Sequence, residues 1–184
     1  MKNVRVAKRY ARSLLQVAQD NAALEAVRAA VEIFDAAFAA SAPLRALLRN
    51  PVVAAERKSA ILDAIFGERV HPIFRAFLKL VCIKGRENIL DSITAQFVNL
   101  YNEHKGITVA VVSAAVEVPD PLHERIKAFI ARRFGGTPYV EYRIDPTLLG
   151  GLVIQCGDVR LDASIAGHLA RLRKQLSVVN GKQV

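Results

Sequence analysis

Residues 148–172 read LLGGLVIQCGDVRLDASIAGHLARL and contain a glycine pair, Gly150 and Gly151, followed by Gly157. Glycines in this density raise the question of a phosphate-binding loop. Such a loop needs its glycines at the turn from a strand into a helix, where backbone N–H groups converge on the anion. Here the glycine pair leads into an apolar run instead. The glycines are therefore interpreted as structural turns, and no nucleotide site is predicted.

The same stretch predicts a hairpin and a helix. The apolar run 152–156 is followed by Gly157-Asp158, a two-residue turn in which glycine supplies a positive φ, and then by a short second strand. Asp162 or Ser164 is placed to cap a final helix. The glycine pair, Gly150 and Gly151, precedes the first strand of this hairpin and most simply permits a bulge or close backbone packing.

The segment before this stretch, residues 107–145, has the residue pattern of two strands with one helix between them. Residues 107–114 are rich in β-branched side chains, 118–134 have helical periodicity with Asp120 as the expected N-cap, and 139–145 alternate. A strand, helix and strand in this order predict a right-handed crossover and parallel pairing. Residues 107–184 are thus expected to form a small C-terminal domain of mixed strands and helices. The side chains expected to point inward from the second strand are Val140, Tyr142 and Ile144.

Residues 1–106 have helical periodicity almost throughout. The pattern divides into six helices on short loops, with Pro43 suited to the first turn of the third helix and Gly85 and Gly106 suited to C-caps of the last two. Six antiparallel helices form an N-terminal bundle. The predicted class is α+β, mostly α.

The chain is basic, with 26 Lys and Arg against 17 Asp and Glu and a formal net charge of +9. This charge suits nucleic acid, an anionic membrane surface or an acidic protein as partner. No apolar run approaches membrane-spanning length, and the opening segment lacks the apolar core of a secretory signal. Cys82 and Cys156 lie in apolar runs and are interpreted as buried, reduced thiols. A soluble, cytoplasmic protein is expected.

One group of residues superficially resembles a catalytic site. Ser164 and His168 share a helical face, with Asp158 and Asp162 nearby. Yet no nucleophile elbow surrounds the serine, which stands where a helix start favours a hydroxyl. No catalytic, metal or cofactor site is predicted, and the chain is expected not to be an enzyme. The other histidines are scattered, at His71, His104 and His123.

Two helices have more apolar surface than one packing face needs. On the first helix, Val6, Tyr10 and Val17 form a second stripe beside the core stripe. The helix at 72–84 is apolar almost all round. It is either the central helix of the bundle, or it contributes one side of a groove that takes an amphipathic helix from another chain.

Three segments resemble a known family. AKRYARSLLQVA (7–18), LKLVCIKGREN (78–88) and YRIDPTLLGGLVIQCGDVRLDASIAGHLARL (142–172) are similar to the opening helix, the fifth helix with its glycine turn, and the C-terminal signature of the δ subunits of bacterial F-type ATP synthases, the equivalent of the mitochondrial oligomycin-sensitivity-conferring subunit. The resemblance covers essentially the whole chain. It implies a stator connector of the peripheral stalk without catalysis or cofactor, with domains at 1–106 and 107–184.

The resemblance also implies two partners. The N-terminal bundle is expected to take the N-terminal helix of an α subunit of the catalytic head between its first and fifth helices, and the C-terminal domain to bind the C-terminal ends of the membrane-anchored b subunits. The positions implied for the α subunit are Ala7, Tyr10, Ala11, Leu14, Phe77, Leu80, Val81 and Lys84. Those implied for the b subunits are Leu161, Ile165, Leu169 and Leu172, which also fit a helix packing on its own sheet.

Further expectations follow from the resemblance. The chain would lie at the cytoplasmic face of a bacterial inner, or thylakoid-like, membrane, attached only through the complex, and would not form homo-oligomers. A basic nucleic-acid-binding module is the alternative function. The two differ in salt dependence, because phosphate-driven binding falls steeply with salt whereas an apolar helix-in-groove contact persists.

Overall fold

The computed structural model describes the backbone of residues 2–180 and the side chains of residues 4–176. The chain divides into two compact units, Met1–Tyr101 and Asn102–Val184. This division falls within a helix, a few residues before the boundary expected at Gly106.

The first unit is helical. The six expected helices are all present: α1 (Lys2–Asp20), α2 (Leu24–Ala40), α3 (Ala42–Arg49), α4 (Ala55–Phe66), α5 (Pro72–Ile83) and α6 (Leu90–Lys105), with a short 3-10 turn at Glu87–Ile89 before α6. The last turn of α6 belongs to the second unit.

Local signals in the sequence set several of these helix ends. Ser41 caps α3 by accepting a hydrogen bond from the N–H of Leu44 at 3.3 Å. At the start of α5, His71 Nδ1 accepts from the N–H of Ile73. Gly85 follows α5 and Gly106 follows α6, each with a positive φ as expected of glycine after a helix.

The core of the first unit is built around α5 and a cluster of aromatic rings. The ring of Phe34 on α2 lies 5.5 Å from that of Phe66 on α4 and 6.0 Å from that of Phe74 on α5, measured between centroids. All three side chains are fully buried. Because α5 contacts α1, α2 and α4, it is the central helix of the unit.

The second unit has four strands and two helices of its own among the described residues. These are β1 (Ile107–Ala114), α7 (Asp120–Phe134), β2 (Thr137–Ile144), β3 (Leu152–Cys156), β4 (Val159–Asp162) and α8 (Ile165–Asn180). The sheet order is β2-β1-β3-β4. β1 and β2 pair in parallel, as predicted for strands joined by the α7 crossover, and the other two pairings are antiparallel. The α+β, mostly α class is confirmed.

One face of the sheet packs on α7. Ala110 and Val112 of β1 and Ile154 of β3 meet Ile126 and Ile130 of α7 in a buried cluster. In β1 the residues that point the other way are more accessible, which is the alternation expected for a strand with one covered face.

Two local predictions in this unit are wrong. The helix α7 begins one residue earlier than expected, because the carbonyl of Pro119 already accepts a helical hydrogen bond from Leu122; Pro119 is the N-cap and Asp120 lies in the first turn. Ile144, expected to point into the core, is exposed, because it is the last residue of the edge strand β2.

The glycines of the opening stretch have the structural roles expected. Gly157 and Asp158 form the turn between β3 and β4, and Gly157 has φ +56°. Gly151 has φ +72°, and a side chain there would overlap the carbonyl oxygen of Ala163. At Gly150, whose carbonyl accepts from the N–H of Ile165 at 3.0 Å, a side chain would meet that of Ile165. The pair therefore lets the chain before β3 pack closely on the start of α8.

Candidate functional site

The first candidate surface is the seam where α1 packs on α5. The rings of Tyr10 and Phe77 meet edge to face across this seam, with centroids 6.5 Å apart. On α1, Ala7 and Ala11 are fully buried. Five of the eight residues implied for the α subunit are buried here: Ala7, Ala11, Leu14, Phe77 and Val81. They are the buried part of the implied set, and we refer to them as the floor of the seam.

The other three residues of that set remain accessible. Tyr10 is half-buried, Leu80 is 45% exposed and Lys84 is exposed. Tyr10 therefore has one side against Phe77 and another open to solvent. This is the geometry of an aromatic anchor that a partner can cover without unfolding the bundle.

Apolar residues beside the seam extend the accessible surface. Val6 and Val17 lie on the same stripe of α1 as Tyr10, and Val17 is exposed. Ile83, near the end of α5, is exposed as well. The second stripe on α1 was visible in the sequence, but the set implied by the resemblance left out these three residues. Their accessibility depends on packing that periodicity alone does not specify.

Basic side chains are exposed on both helices of the seam. Arg5, Arg9 and Arg12 are exposed on α1, and Lys79 and Lys84 are exposed on α5. Acidic residues on the polar flanks of a helix bound here would be favoured electrostatically.

The second candidate surface is a stripe along α8. Ile165, Leu169, Leu172 and Leu176 follow the helical spacing i, i+4, i+7 and i+11, and all four are exposed. Leu169 is 53% exposed and Leu172 is 43% exposed. Ser164 and Asp162 hold the start of this helix, because Ser164 Oγ accepts from the N–H of Gly167 at 3.0 Å and donates to Asp162 Oδ1 at 2.6 Å.

This exposure contradicts one interpretation of the α8 residues, that they pack on the sheet of their own unit. A helix packed on its own sheet would bury Leu169 and Leu172, and the structure leaves them open. Leu161, the fourth residue implied for the b subunits, differs from the others: it lies on β4, is half-buried and packs against the core of its own unit. Leu176 continues the stripe and was missed by sequence reasoning, although its spacing was visible.

The superficial catalytic group is not assembled. Ser164 is a buried helix cap whose hydroxyl already has two partners. The hydrogen bonds that its hydroxyl and its backbone N–H donate to Asp162 lower the pKa of that carboxyl below its usual value. His168 and Asp158 are both exposed. In the described part of the chain, no three His, Cys, Asp or Glu side chains lie close enough together to hold a metal ion.

A buried ion pair was missed entirely. Lys58 of α4 is 1% exposed, and its Nζ lies 2.6 Å from Oε1 of Glu87 and 3.5 Å from the carbonyl oxygen of Leu48. Helical periodicity does not mark Lys58 as a core residue, and only the fold places its ammonium inside. The pair ties α3 and α4 to the turn that follows α5. Burial, with a contribution from the charge of Glu87, raises the pKa of the nearby Cys82 thiol to about 11.

None of the described helices combines the length and the apolar character that a membrane span requires.

Comparison with known proteins shows the family to which this chain belongs. A family model described as ATP synthase delta (OSCP) subunit matches residues 6–176. The chain belongs to this family. An ATP synthase subunit delta of Desulfatibacillum aliphaticivorans is 35% identical over 177 residues, covering 96% of this chain and 97% of the relative. One of Chlorobium phaeovibrioides is 33% identical over 179 residues, covering 97% and 99%.

A solved structure has the same fold. A chain of the cryo-EM structure of the Toxoplasma gondii mitochondrial ATP synthase hexamer superposes with a TM-score of 0.74 at 22% identity, covering 92% of this chain and 96% of that one. The region that matches the ATP synthase delta (OSCP) family runs from Val6 in the α1 stripe to Leu176 in the α8 stripe. Both candidate surfaces therefore lie within the matched region.

Proposed function

We propose that this member of the ATP synthase delta (OSCP) family is a non-catalytic stator subunit of an F-type ATP synthase. It would link the catalytic head of α and β subunits to the membrane-anchored b subunits. The observation that carries this proposal is that a family match over nearly the whole chain coincides with two accessible apolar surfaces, one on each compact unit. A connector needs two such surfaces, whereas an enzyme needs an assembled reactive site.

The seam between α1 and α5 is the proposed site for the N-terminal helix of an α subunit. Its floor is preformed by buried side chains, so that binding orders few groups of this chain. Tyr10 and Leu80 are the accessible apolar contacts, with Val17 and Ile83 beside them. Lys84 and the arginines of α1 would pair with acidic flanks of the bound helix.

The stripe on α8 is the proposed site for the C-terminal ends of the b subunits. Ile165, Leu169, Leu172 and Leu176 offer a continuous apolar line of the kind that pairs with another amphipathic helix. Leu161 is left out of the accessible set, because its side chain packs within its own unit.

The proposed role is mechanical. Rotation of the central shaft would turn the catalytic head with it unless the head is tied to the membrane-fixed part of the enzyme, and this chain would form part of that tie. Its two contacts would carry torque, so that proton transport stays coupled to ATP synthesis. Attachment to the cytoplasmic face of the membrane would be peripheral, through the other subunits.

Calorimetric titration with the N-terminal peptide of the α subunit from the same organism tests the proposal. One-to-one binding that persists at high salt is expected, because an apolar contact is screened little. Tyr10→Asp should weaken it by roughly 2 kcal/mol or more, the range for a buried aromatic anchor. Tyr139→Asp is the matched control, since this exposed tyrosine lies in the other unit.

Two results would overturn the proposal. One is an equal loss of affinity in Tyr10→Asp and Tyr139→Asp. The other is no peptide binding together with nucleic-acid binding that falls steeply with salt, which would indicate the basic nucleic-acid module instead.

A further inference from the structure

The segment that leads from α5 towards α6 contributes to the proposed α-subunit site but has little packing of its own. In residues 83–88 every residue is exposed except Glu87, although the residues on both sides of this segment are buried. Lys84 belongs to the seam between α1 and α5, and Ile83 lies beside it. Because both are exposed, their position is set by the backbone of the segment and not by burial of their side chains.

Backbone hydrogen bonds connect this segment to the last turn of α5. The N–H of Lys84 donates to the carbonyl of Leu80, and the N–H of Arg86 donates to that of Val81, each at 3.0 Å. These bonds satisfy carbonyls that a helix end otherwise leaves without partners. Movement of the chain at Glu87, the next residue, would strain them. The geometry at Leu80 and Lys84 therefore depends on where Glu87 is held.

Glu87 is held by its ion pair with Lys58. Nζ of Lys58 lies 2.6 Å from Oε1 of Glu87, and the lysine side chain is 1% exposed while that of Glu87 is 12% exposed. The same ammonium lies 3.5 Å from the carbonyl oxygen of Leu48, near the end of α3. Hydrogen bonds require a particular distance and angle, whereas burial of apolar surface is non-directional. The pair therefore fixes a position more strictly than an apolar contact would.

We propose that Lys58 and Glu87 are positioning residues for the α-subunit helix, because their ion pair fixes the turn after α5 and so holds Leu80 and Lys84 in the binding geometry. Lys58 acts through Glu87 and the backbone, since its buried side chain is not available to a partner. This inference rests on the proposed function of the seam. The affinity of a site falls in proportion to the fraction of molecules that have the binding geometry, so loosening the turn weakens binding without removing a contact.

Calorimetric titration of the full chain with the N-terminal peptide of its own α subunit, at a temperature where every variant is folded, tests this inference. The informative variant is Lys58→Met/Glu87→Leu. Apolar residues in place of a buried ion pair should restore most of the stability, but they should not restore the position of the turn. The double variant should therefore bind the peptide roughly tenfold more weakly, as expected when about one-tenth of the molecules hold the turn in place.

Amide hydrogen exchange of the free chain measures the turn without any peptide. In Lys58→Met/Glu87→Leu the N–H groups of Lys84 and Arg86 should exchange roughly tenfold faster, because local opening controls exchange at a helix end. Amides in the middle of α6, around the buried Phe97, should change little. A pair that acted only on global stability would change all of these amides together.

Arg75→Met is the matched control. It also replaces a cation by methionine and also breaks an ion pair between α5 and α4, in this case the exposed pair with Asp63. Arg75 precedes Leu80 by five residues, which places the two side chains about 140° apart around α5. The affinity for the peptide should therefore stay the same in Arg75→Met.

The possible failures are distinguishable. The positioning role alone would be overturned if peptide affinity recovered together with stability in Lys58→Met/Glu87→Leu, or if exchange at Lys84 and Arg86 were unchanged in that variant. A loss of affinity in Arg75→Met as large as in the double variant would have the same consequence. Absence of peptide binding by the unaltered chain would overturn the proposed function, and this inference with it.

Discussion

At the scale of single residues, buried polar groups have the largest local consequences in this chain. Lys58 and Glu87 are held together inside the first unit, and the second carboxylate oxygen of Glu87 is buried without a hydrogen-bond partner among the described residues. Removing one member of such a pair leaves a charge in an environment that solvates it poorly. The pair thus makes the end of α5 sensitive to a change on α4.

The first prediction follows from this pair. Lys58→Met should lower the free energy of unfolding by about 3–5 kcal/mol, because Glu87 would remain charged and unpaired. The double variant Lys58→Met/Glu87→Leu should recover most of that loss. Urea denaturation followed by circular dichroism measures both.

The control for this prediction is an exposed ion pair. Arg75 and Asp63 join α5 to α4 but are each about half exposed. Arg75→Met should therefore cost no more than about 1 kcal/mol. Equal losses in Lys58→Met and Arg75→Met would show that burial of the Lys58 pair contributes nothing.

The second prediction concerns pH. Burial raises the pKa of Asp35 above its ordinary value of 3.8, while Thr94 and Arg28 act in the opposite direction. A carboxyl with a raised pKa in the folded state favours folding when protonated, and this contribution is lost as the pH rises through that pKa. Asp35→Asn should therefore raise the thermal midpoint at pH 7.

The pH dependence of the gain from Asp35→Asn tests whether titration of this carboxyl is its cause. Below pH 3.8 the carboxyl of Asp35 is largely protonated in both states, so the gain from Asp35→Asn should shrink there. Glu32→Gln on the same helix is the comparison, because Glu32 pairs with Arg28 at the surface and should give no such gain. A gain that is constant across the pH range would exclude titration of Asp35 as the cause.

At the scale of helices and strands, the sequence was most informative where caps and periodicity agreed. Gly85 and Gly106 marked two helix ends, and Gly157-Asp158 marked the hairpin. The two wrong predictions in the second unit concern positions where a single hydrogen bond, or a place at the edge of the sheet, determines the local structure. The start of α7 depends on which carbonyl accepts the first hydrogen bond, and the exposure of Ile144 depends on β2 being an edge strand.

The proposed site could be predicted only in part, for a related reason. The stripe of Val6, Tyr10 and Val17 follows from helical spacing, but spacing does not show that Ala7 and Ala11 are fully buried while Val17 stays exposed. On α8 the spacing of Leu169 and Leu172 was equally consistent with packing on the sheet. Which apolar face stays open is a property of the tertiary structure.

The third prediction concerns the approach of the β3 strand to α8. Gly151→Ala introduces a side chain at φ +72° where it would also overlap the carbonyl oxygen of Ala163. Thermal unfolding of the variant should show a loss of about 2–4 kcal/mol, the combined cost of a strained backbone and a steric clash. Gly157→Ala is matched in backbone conformation but has open space around it, so about 1 kcal/mol is expected. Equal losses of stability in Gly151→Ala and Gly157→Ala would show that the close contact with the start of α8 does not contribute to the destabilisation.

At the scale of the whole molecule, the chain has two compact units, each with an accessible apolar surface in the region that matches the ATP synthase delta (OSCP) family. The surfaces share no residue. A link between two partners requires this independence, since a single surface would make the partners compete. Neither surface contains an assembled catalytic group among the described residues.

The most direct measurement is sedimentation of the chain with the N-terminal peptide of its own α subunit and a soluble C-terminal fragment of its own b subunit. A stator link predicts one ternary complex, from which Tyr10→Asp removes only the α peptide and Leu169→Asp removes only the b fragment. Displacement of one partner by the other, or loss of both partners in either variant, would contradict a connector with two independent surfaces.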